Sequence, residues 1–450
     1  MAALQLFILC VVLNMVLSSS QQIITTLPGF DGDLPFKLET GYIGVGQNDD
    51  VQLFYYFIES ERSPEDDPLV LWLSGGPGCS GFSGLVFEIG PLSFDYEKSK
   101  VNLPKFLLNP YSWTKVANII FLDAPVGTGF SYANTWQGYI MNDTLSAAQN
   151  YYFLRKWLIA HPSFLANPLY IGGDSYSGII VPMIVQHISD GIDVGHRPRM
   201  NLKGYLLGNP LTDSTENQNS VPHFAYLNAL ISHEIYEVNS LFISTFQNFI
   251  SFYSFQSAKR NCQGEYVNVD PSNGLCIADL ENITEIYEPS CRGPFISPRR
   301  KLFNWNRSII EEDSLDFLSS PTQPAASGTW CRFHNYVYSY IWANDKTVQR
   351  AIGVQEGTVK YWVRCNQSLS YTKDVSSSLA YHRNLIKKGY QVLIYSGDVD
   401  MKVPYVATEA WIKSLNLTIE TGWQPWFVEG QVAGEQVIQL QSTNLRSVLE

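Results

Sequence analysis

The sequence predicts an α/β fold in which helices cover a mixed, mostly parallel sheet. Short apolar runs rich in strand-forming residues alternate with helical stretches such as residues 143–160, and this alternation is typical of strands joined by helices. Three of the apolar runs end in turns that carry glycine, serine or aspartate. The predicted strands are residues 40–46, 51–58, 69–73, 117–122, 168–172, 203–208, 391–396 and 425–428.

The turn at residues 172–178 carries the candidate nucleophile. Its sequence is Gly-Gly-Asp-Ser-Tyr-Ser-Gly, and it precedes an apolar stretch that can begin a helix. A strand, a sharp turn and a helix form the nucleophile elbow of α/β-hydrolases, in which the serine sits on a strained turn. The pattern predicts Ser175 as nucleophile, with Ser177 in place of the second glycine of the usual motif. On this motif alone, a glycine-rich turn without chemistry explains the residues equally well.

The turn that follows the strand at residues 69–73 favours the catalytic interpretation. Its sequence is Ser-Gly-Gly-Pro-Gly-Cys-Ser. α/β-Hydrolases use such a loop for one N–H group of the oxyanion hole, and the residue after the nucleophile supplies the other. We therefore predict the N–H groups of Gly76 and Tyr176 as oxyanion donors. An ordinary glycine turn is the weaker alternative, because two glycine-rich strand ends occur in the order that this fold requires.

A third turn carries the candidate acid. Residues 396–400, Ser-Gly-Asp-Val-Asp, follow an apolar strand, and an acid placed after the nucleophile matches the order of α/β-hydrolases. Taken alone, an aspartate in such a turn is more often an Asx turn or a helix cap.

With residues 109–132 and 204–213, these three segments resemble the serine carboxypeptidase family over residues 25–433, and more closely its plant carboxypeptidase-like branch. The resemblance implies the α/β-hydrolase fold, Ser175 as nucleophile and Asp400 as the acid of the triad. It also implies that Gly76 and Tyr176 form the oxyanion hole.

The same resemblance assigns a substrate-binding group. Peptidases of the family hold the substrate's terminal carboxylate with an asparagine before the glycine loop, a glutamate before the nucleophile and a further glutamate. This sequence has Ser74, Asp174 and Glu88 at those positions, beside Gly75. Two close carboxyl groups can share a proton and then donate to a substrate carboxylate at acidic pH. A salt bridge or a helix cap is the alternative role for Asp174 and Glu88.

The departures at Ser74 and Asp174 are similar to the acyltransferase members of the family, which transfer an acyl group from a glucose ester to an alcohol or an amine. Acyl transfer is therefore the first functional hypothesis, and release of C-terminal residues from peptides is the second. The third is a binding protein that keeps the pocket without catalysis. The predicted partner is accordingly a small acyl ester or a peptide.

The proton carrier of the triad is missing from its expected place. In the family a histidine follows the last strand, whereas all seven histidines here precede Asp400 and the last is His382. The family pattern holds through Gly434 and changes at residues 435–450, which suggests alternative splicing or a mispredicted gene model. We expect impaired catalysis and poor folding, since loss of this histidine typically lowers turnover about a million-fold. His382 lies in a helix-like stretch at 377–389, expected to pack on the sheet, and we do not expect it to act as base.

Composition excludes several classes of function. The 450 residues carry a net charge of -12, which disfavours binding to nucleic acid and to anionic membranes. With 45% hydrophobic and 16% charged residues, the chain is globular and not disordered. It contains no Cys-x-x-Cys motif and no histidine cluster, so neither a zinc site nor another cofactor is predicted.

The N-terminus predicts entry into the secretory pathway. Residues 4–17 are apolar apart from two polar positions and precede a serine-rich stretch, which is typical of a signal peptide and too short to span a membrane. We expect a secreted or vacuolar glycoprotein. The possible N-glycosylation sites are Asn142, Asn282, Asn306, Asn366 and Asn416.

Six cysteines remain once the predicted signal peptide is removed, and six can pair in fifteen ways. Spacing alone favours a disulfide between Cys262 and Cys276. The family resemblance implies two others, which join Cys79 to Cys365 and Cys291 to Cys331.

The expected organisation has five parts. They are a signal peptide at 1–20, hydrolase core at 21–212, an inserted lid stapled by disulfides at 213–330, hydrolase core at 331–434 and a divergent tail at 435–450. The lid is predicted because the strand–helix pattern breaks there into aromatic-rich and loop-rich sequence. Its aromatic run at 242–255 is interpreted as lid packing in preference to a base-stacking surface.

Overall fold

The computed structural model describes residues 21–99, 103–230, 273, 275, 336–440 and 444–449. The chain divides into two compact units. The first comprises Met1–Leu207, Asn304–Val375 and Tyr390–Val392, and the second Gly208–Phe303, Ser376–Gly389 and Leu393–Glu450. The predicted signal peptide and most of the predicted lid lie outside the described residues.

The described elements alternate as the sequence pattern requires. The strands are β1 Gln22–Thr26, β2 Asp33–Val45, β3 Val51–Ile58, β4 Leu69–Leu73, β5 Leu92–Phe94, β6 Phe106–Leu108, β7 Asn118–Leu122, β8 Tyr132–Ala133, β9 Met141–Asn142, β10 Leu169–Asp174, β11 Leu202–Gly208, β12 Tyr371–Thr372, β13 Gln391–Ser396, β14 Thr418–Val428, β15 Gln431–Leu440 and β16 Asn444–Leu449. The α-helices are α1 Asp143–Ala160, α2 Ser177–Asp193, α3 Ser214–Leu227, α4 Val337–Asn344, α5 Lys346–Ala351, α6 Leu379–Lys387 and α7 Tyr405–Ser414. A π-helical turn covers Gly84–Glu88.

The sheet of the first unit has the strand order β1-β2-β3-β7-β4-β10-β11. Pairs β1–β2, β2–β3 and β3–β7 are antiparallel, whereas β4 is parallel to both β7 and β10. All five residues of β4 and of β7 are buried, because central parallel strands have both faces covered. The carboxyl ends of β4 and β10 therefore lie side by side, with Gly173 paired to Leu73.

Helices α1 and α2 pack against each other in the same unit. Helix α1 is capped by the Asn142 side chain, which accepts a hydrogen bond from the Leu145 N–H group at 2.7 Å. Helix α2 starts directly after the turn that holds Ser175 and buries most of its residues. A disulfide joins Cys79 to Cys365 across 286 residues, as the family resemblance implies.

The second unit has its own strands and helices. Its strands lie in the order β13-β16-β15-β14, and β15 is antiparallel to both neighbours. Helix α3 packs on α7 and is capped by Asp213, whose carboxylate accepts from the Glu216 N–H group at 2.9 Å. The backbone of the predicted divergent tail thus takes part in this sheet.

The predicted fold class is confirmed as a mixed sheet with a parallel centre. Each of the eight predicted strands overlaps an observed one, and the predicted helix at 143–160 coincides with α1. Among the residues that the structure describes, no helix is both long and apolar enough to cross a membrane.

Candidate active site

Ser175 occupies the turn between β10 and α2. Its φ of 54° lies in the left-handed region that residues other than glycine rarely adopt, and such backbone strain occurs preferentially at functional sites. The hydroxyl of Ser177 donates to the Leu73 carbonyl at 3.0 Å. That bond ties the elbow to β4 and shows why a serine fits where the usual motif has glycine.

The glycine loop after β4 touches the elbow directly. A Cβ atom placed on Gly75 would lie 2.6 Å from the Ser175 Cβ and 2.9 Å from the Tyr176 nitrogen. No side chain fits at this approach, which explains a glycine in the loop. Gly76 follows with a φ of 116° and is exposed. The structure therefore places Tyr176 directly after the serine and Gly76 directly after the glycine that approaches it, and the role of both as oxyanion donors stays a prediction.

Two carboxyl groups lie behind this loop. Asp174 accepts a hydrogen bond from the Gly75 N–H group at 3.1 Å. Glu88 accepts from the Trp72 indole N–H at 2.7 Å and from the Ser74 hydroxyl at 3.3 Å. Burial raises the pKa of Glu88, and burial together with the charge of Glu88 raises the pKa of Asp174 well above its usual value. The pair thus favours protonation of at least one carboxyl.

Arg364 is a neighbour of this pair that the sequence did not reveal. Its guanidinium lies 3.9 Å from the centroid of the Tyr336 ring, and its positive charge lowers the pKa of both Glu88 and Asp174, although burial outweighs that effect. The disulfide between Cys79 and Cys365 could have indicated that Arg364 lies near the glycine loop, because Arg364 directly precedes Cys365. The Ser80 N–H group donates to the Arg364 carbonyl at 2.8 Å.

Asp143 is a second residue that sequence reasoning missed. It is fully buried at the start of α1, and its carboxylate accepts hydrogen bonds from the hydroxyls of Tyr176 and Tyr371 at 2.8 and 2.7 Å. The sequence held no signal for these contacts, because the partners lie 33 and 228 residues away.

Asp400 belongs to the second unit, in the turn after β13. Its Oδ1 accepts from the N–H groups of Lys402 and Val403 at 2.7 and 3.2 Å, the bonding of an Asx turn. The side chain of Asp400 thus forms the Asx turn that was the alternative interpretation of this segment. Its role as triad acid stays a prediction.

His382, in the same unit, is fully buried in α6 with its ring 4.8 Å from that of Trp411. Burial lowers its pKa to about 3, so its imidazole stays neutral at neutral pH. The helix at this position was predicted, and the ring packs on a neighbouring helix.

The described glycosylation sites differ in accessibility. Asn416 is exposed. The Asn366 amide donates to the Gly127 carbonyl at 2.9 Å, and the Asn142 side chain caps α1. The remaining predicted positions lie outside the described residues, and they are Cys262, Cys276, Asn282, Cys291, Asn306 and Cys331.

Comparison with known proteins gives consistent matches. The family profile described as serine carboxypeptidase matches residues 28–446. Serine carboxypeptidase-like 16 of Arabidopsis thaliana is 46% identical over 421 residues, which cover 93% of this chain and 86% of that protein. Serine carboxypeptidase-like 1 of the same plant is 44% identical over 431 residues, covering 95% of this chain and 88% of that protein.

Among solved structures, the prohormone-processing carboxypeptidase Kex1(delta)p of Saccharomyces cerevisiae matches with a TM-score of 0.68. The match covers 92% of this chain and 87% of that protein at 19% sequence identity. At this identity the likeness shows the fold, which is that of the predicted α/β-hydrolase class.

Proposed function

This chain belongs to the serine carboxypeptidase family, and we propose that Ser175 forms an acyl-enzyme that transfers an acyl group from a glucose ester to an alcohol or amine. The observation that carries the proposal is the strained left-handed serine with Gly75 packed against it. Such a turn holds the hydroxyl outward for attack on a carbonyl.

The proposed reaction has two steps. The Ser175 hydroxyl attacks the ester carbonyl and forms a tetrahedral oxyanion facing the N–H groups of Gly76 and Tyr176, while its proton passes to the glucose oxygen. Collapse breaks the ester bond, and the glucose oxygen leaves with a proton. The acceptor hydroxyl or amine then attacks the acyl-serine, the bond between the acyl carbon and Ser175 Oγ breaks, and the acceptor proton passes to Oγ, which regenerates the Ser175 hydroxyl.

The carboxyl pair supports a choice between substrate classes. In the first candidate, Ser74 and Asp174 replace the residues with which peptidases of the family hold a C-terminal carboxylate, so a glucose ester is the preferred donor. A second candidate, carboxypeptidase activity, is favoured by the raised pKa values of Glu88 and Asp174. A protonated carboxyl there can donate to a peptide carboxylate at acidic pH.

A third candidate is a binding protein with little or no turnover. All seven histidines precede Asp400, and the buried, neutral His382 is a poor base. We therefore expect the 450-residue chain by itself to turn over slowly, with a reactivity that rests on the oxyanion donors and on substrate binding.

Labelling of Ser175 tests the premise that the two enzyme candidates share. The purified chain is treated with a fluorophosphonate probe and the adduct is mapped by mass spectrometry, beside the variants Ser175→Ala and Ser177→Ala. We expect an adduct on Ser175 in the parent chain and in Ser177→Ala, and none in Ser175→Ala. A folded chain that carries no adduct, or an adduct elsewhere, contradicts the nucleophile.

Three further assays separate the candidates. Product formation from an acyl glucose and an alcohol, abolished in Ser175→Ala, supports acyl transfer. Release of C-terminal amino acids from peptides at pH 5 supports the carboxypeptidase. Binding of either substrate by calorimetry without product supports the binding protein.

We also propose passage through the secretory pathway, based on the predicted signal peptide and on the exposed Asn416. Expression with an intact N-terminus, followed by glycosidase treatment, tests this. We expect a mass loss that is smaller in Asn416→Gln, whereas an unglycosylated intracellular product contradicts it.

A further inference from the structure

We propose that Asp143 is a positioning residue that fixes Tyr176, and with it the oxyanion N–H group beside Ser175, through the Tyr176 hydroxyl. The inference rests on the proposed function, because it assigns a task to the oxyanion donor of that site. It concerns a residue on α1, outside the three glycine-rich turns.

The Asp143 carboxylate has three donors and no access to solvent. Oδ1 accepts from Tyr176 at 2.8 Å and from Tyr371 at 2.7 Å, and Oδ2 accepts from the Val375 N–H group at 2.9 Å. Burial raises the pKa of this carboxyl, and the three donors offset part of the rise. Burial, followed by the charge of Asp143, raises the pKa of both tyrosine hydroxyls, which therefore remain donors.

This carboxylate is not needed to begin the helix. The side chain of Asn142 already accepts from the Leu145 N–H group at 2.7 Å, and the Asp374 carboxylate accepts from the N–H group of Asp143 at 2.7 Å. An ordinary first-turn aspartate would face the helix N-terminus and solvent. Burying the carboxylate instead is costly unless it is hydrogen-bonded, and the hydroxyls that bond it belong to Tyr176 and Tyr371, outside helix α1.

The element it serves is the nucleophile elbow. Tyr176 directly follows Ser175, its side chain is 4% exposed, and its carbonyl accepts the Ile179 N–H group at 3.0 Å in the first turn of α2. Holding the ring therefore limits rotation of the adjoining peptide, whose N–H group is the proposed oxyanion donor.

A second carboxyl group, that of Asp174, bonds the glycine loop of the same site. Asp174 accepts the Gly75 N–H group, next to the other proposed donor, Gly76. Both segments that carry a proposed oxyanion donor are thus held by a side-chain carboxyl: the loop by Asp174, through the Gly75 N–H group, and the elbow by the buried Asp143, through the Tyr176 hydroxyl. Preorganised donors of this kind need no rearrangement when negative charge develops.

Paired variants separate positioning from general stability. Tyr176→Phe and Tyr371→Phe each remove one hydroxyl bond to the same Oδ1 atom, but only the former residue belongs to the elbow. We expect Tyr176→Phe and Asp143→Asn to lower the maximal rate of fluorophosphonate labelling about tenfold with unchanged probe affinity, a fraction of the loss when an oxyanion donor is deleted. The matched Tyr371→Phe should stay within about twofold of the parent, and the double variant Asp143→Asn with Tyr176→Phe should lose no more than Asp143→Asn alone.

Hydrogen exchange measured by mass spectrometry gives a readout that needs no chemistry at Ser175. We expect faster exchange at Gly178 and Ile179, in the first turn of α2, for Tyr176→Phe and not for Tyr371→Phe. Equal effects of the two tyrosine variants on exchange, or equal slowing of labelling, overturn the positioning role. A parent chain that is folded but unlabelled refutes the proposed function alone, and the exchange comparison then decides the inference.

Discussion

Substitution of Gly75 by alanine is expected to disable the elbow while leaving the rest of the chain folded. The new Cβ would lie 2.6 Å from the Ser175 Cβ, about 0.8 Å inside the 3.4 Å at which ordinary contact begins, and 3.0 Å from the Asp174 carbonyl oxygen. All of these atoms belong to backbone or to a Cβ and cannot swing aside. The loop and the elbow must therefore separate by close to 1 Å, and misplacement of that size costs about a hundredfold in rate.

The assay is the rate of Ser175 labelling, together with the melting temperature. We expect labelling of Gly75→Ala to slow at least a hundredfold, and the free energy of unfolding to fall by about 1–3 kcal/mol from overpacking. Gly422→Ala is the matched control, since a Cβ at Gly422 meets no atom within 4 Å. Labelling of Gly75→Ala at the parent rate would refute the close approach, whatever the effect on stability.

Three further predictions concern stability. Burial raises the pKa of Glu88, so the stability that this carboxyl contributes is complete below pH about 4 and is lost as pH rises through the raised folded-state pKa. Glu88→Gln should therefore flatten the decline in melting temperature above pH 4. An unchanged decline would contradict the raised pKa of Glu88. Burial lowers the pKa of His382 to about 3, so its contribution is complete above pH about 6.5 and is lost towards pH 3. Consequently His382→Phe should remove a slope of up to roughly 1.4 kcal/mol per pH unit from acid unfolding, and an identical acid transition would count against burial of the neutral ring. Replacing both Cys79 and Cys365 by serine removes a disulfide across 286 residues and should lower the free energy of unfolding in urea by about 2–5 kcal/mol. Reduction of the parent chain should cause the same loss, and a reduced parent chain as stable as the oxidised one would contradict this disulfide.

Most of the sheet and the strained turn at Ser175 could be predicted from the sequence because both depend on local rules. Strand β4 is apolar at every position, and a buried parallel strand has this composition. The turn at Ser175 requires small residues before and after the serine because neighbouring backbone approaches it closely. This requirement is visible in the seven residues 172–178. The structure confirms the strands and the strained turn.

Asp174 and Glu88 were predicted from the family resemblance and not from a local pattern. Nothing in their local sequence shows that the Trp72 indole and the Ser74 hydroxyl both donate to Glu88, which lies on a π-helical turn. Such a pair depends on how far β4 and the following turn bend towards each other, a property of packing and not of composition. Sequence alone therefore left a salt bridge or a helix cap open, and the structure instead shows two carboxyl groups that accept hydrogen bonds and have raised pKa values.

Asp143 marks the limit of sequence reasoning most clearly. In the sequence it lies beside an N-cap asparagine at the start of a helix, where an acidic residue is common. Its position therefore gives no indication of a further role. Only the fold shows that the helix start is satisfied by Asn142 and Asp374, which leaves the Asp143 carboxylate to two tyrosines from distant segments. The neighbours of Asp143 already cap the helix, and yet its carboxylate is fully buried and hydrogen-bonded. We therefore infer that its side chain stabilises another element. In this chain that element is the turn that carries Ser175.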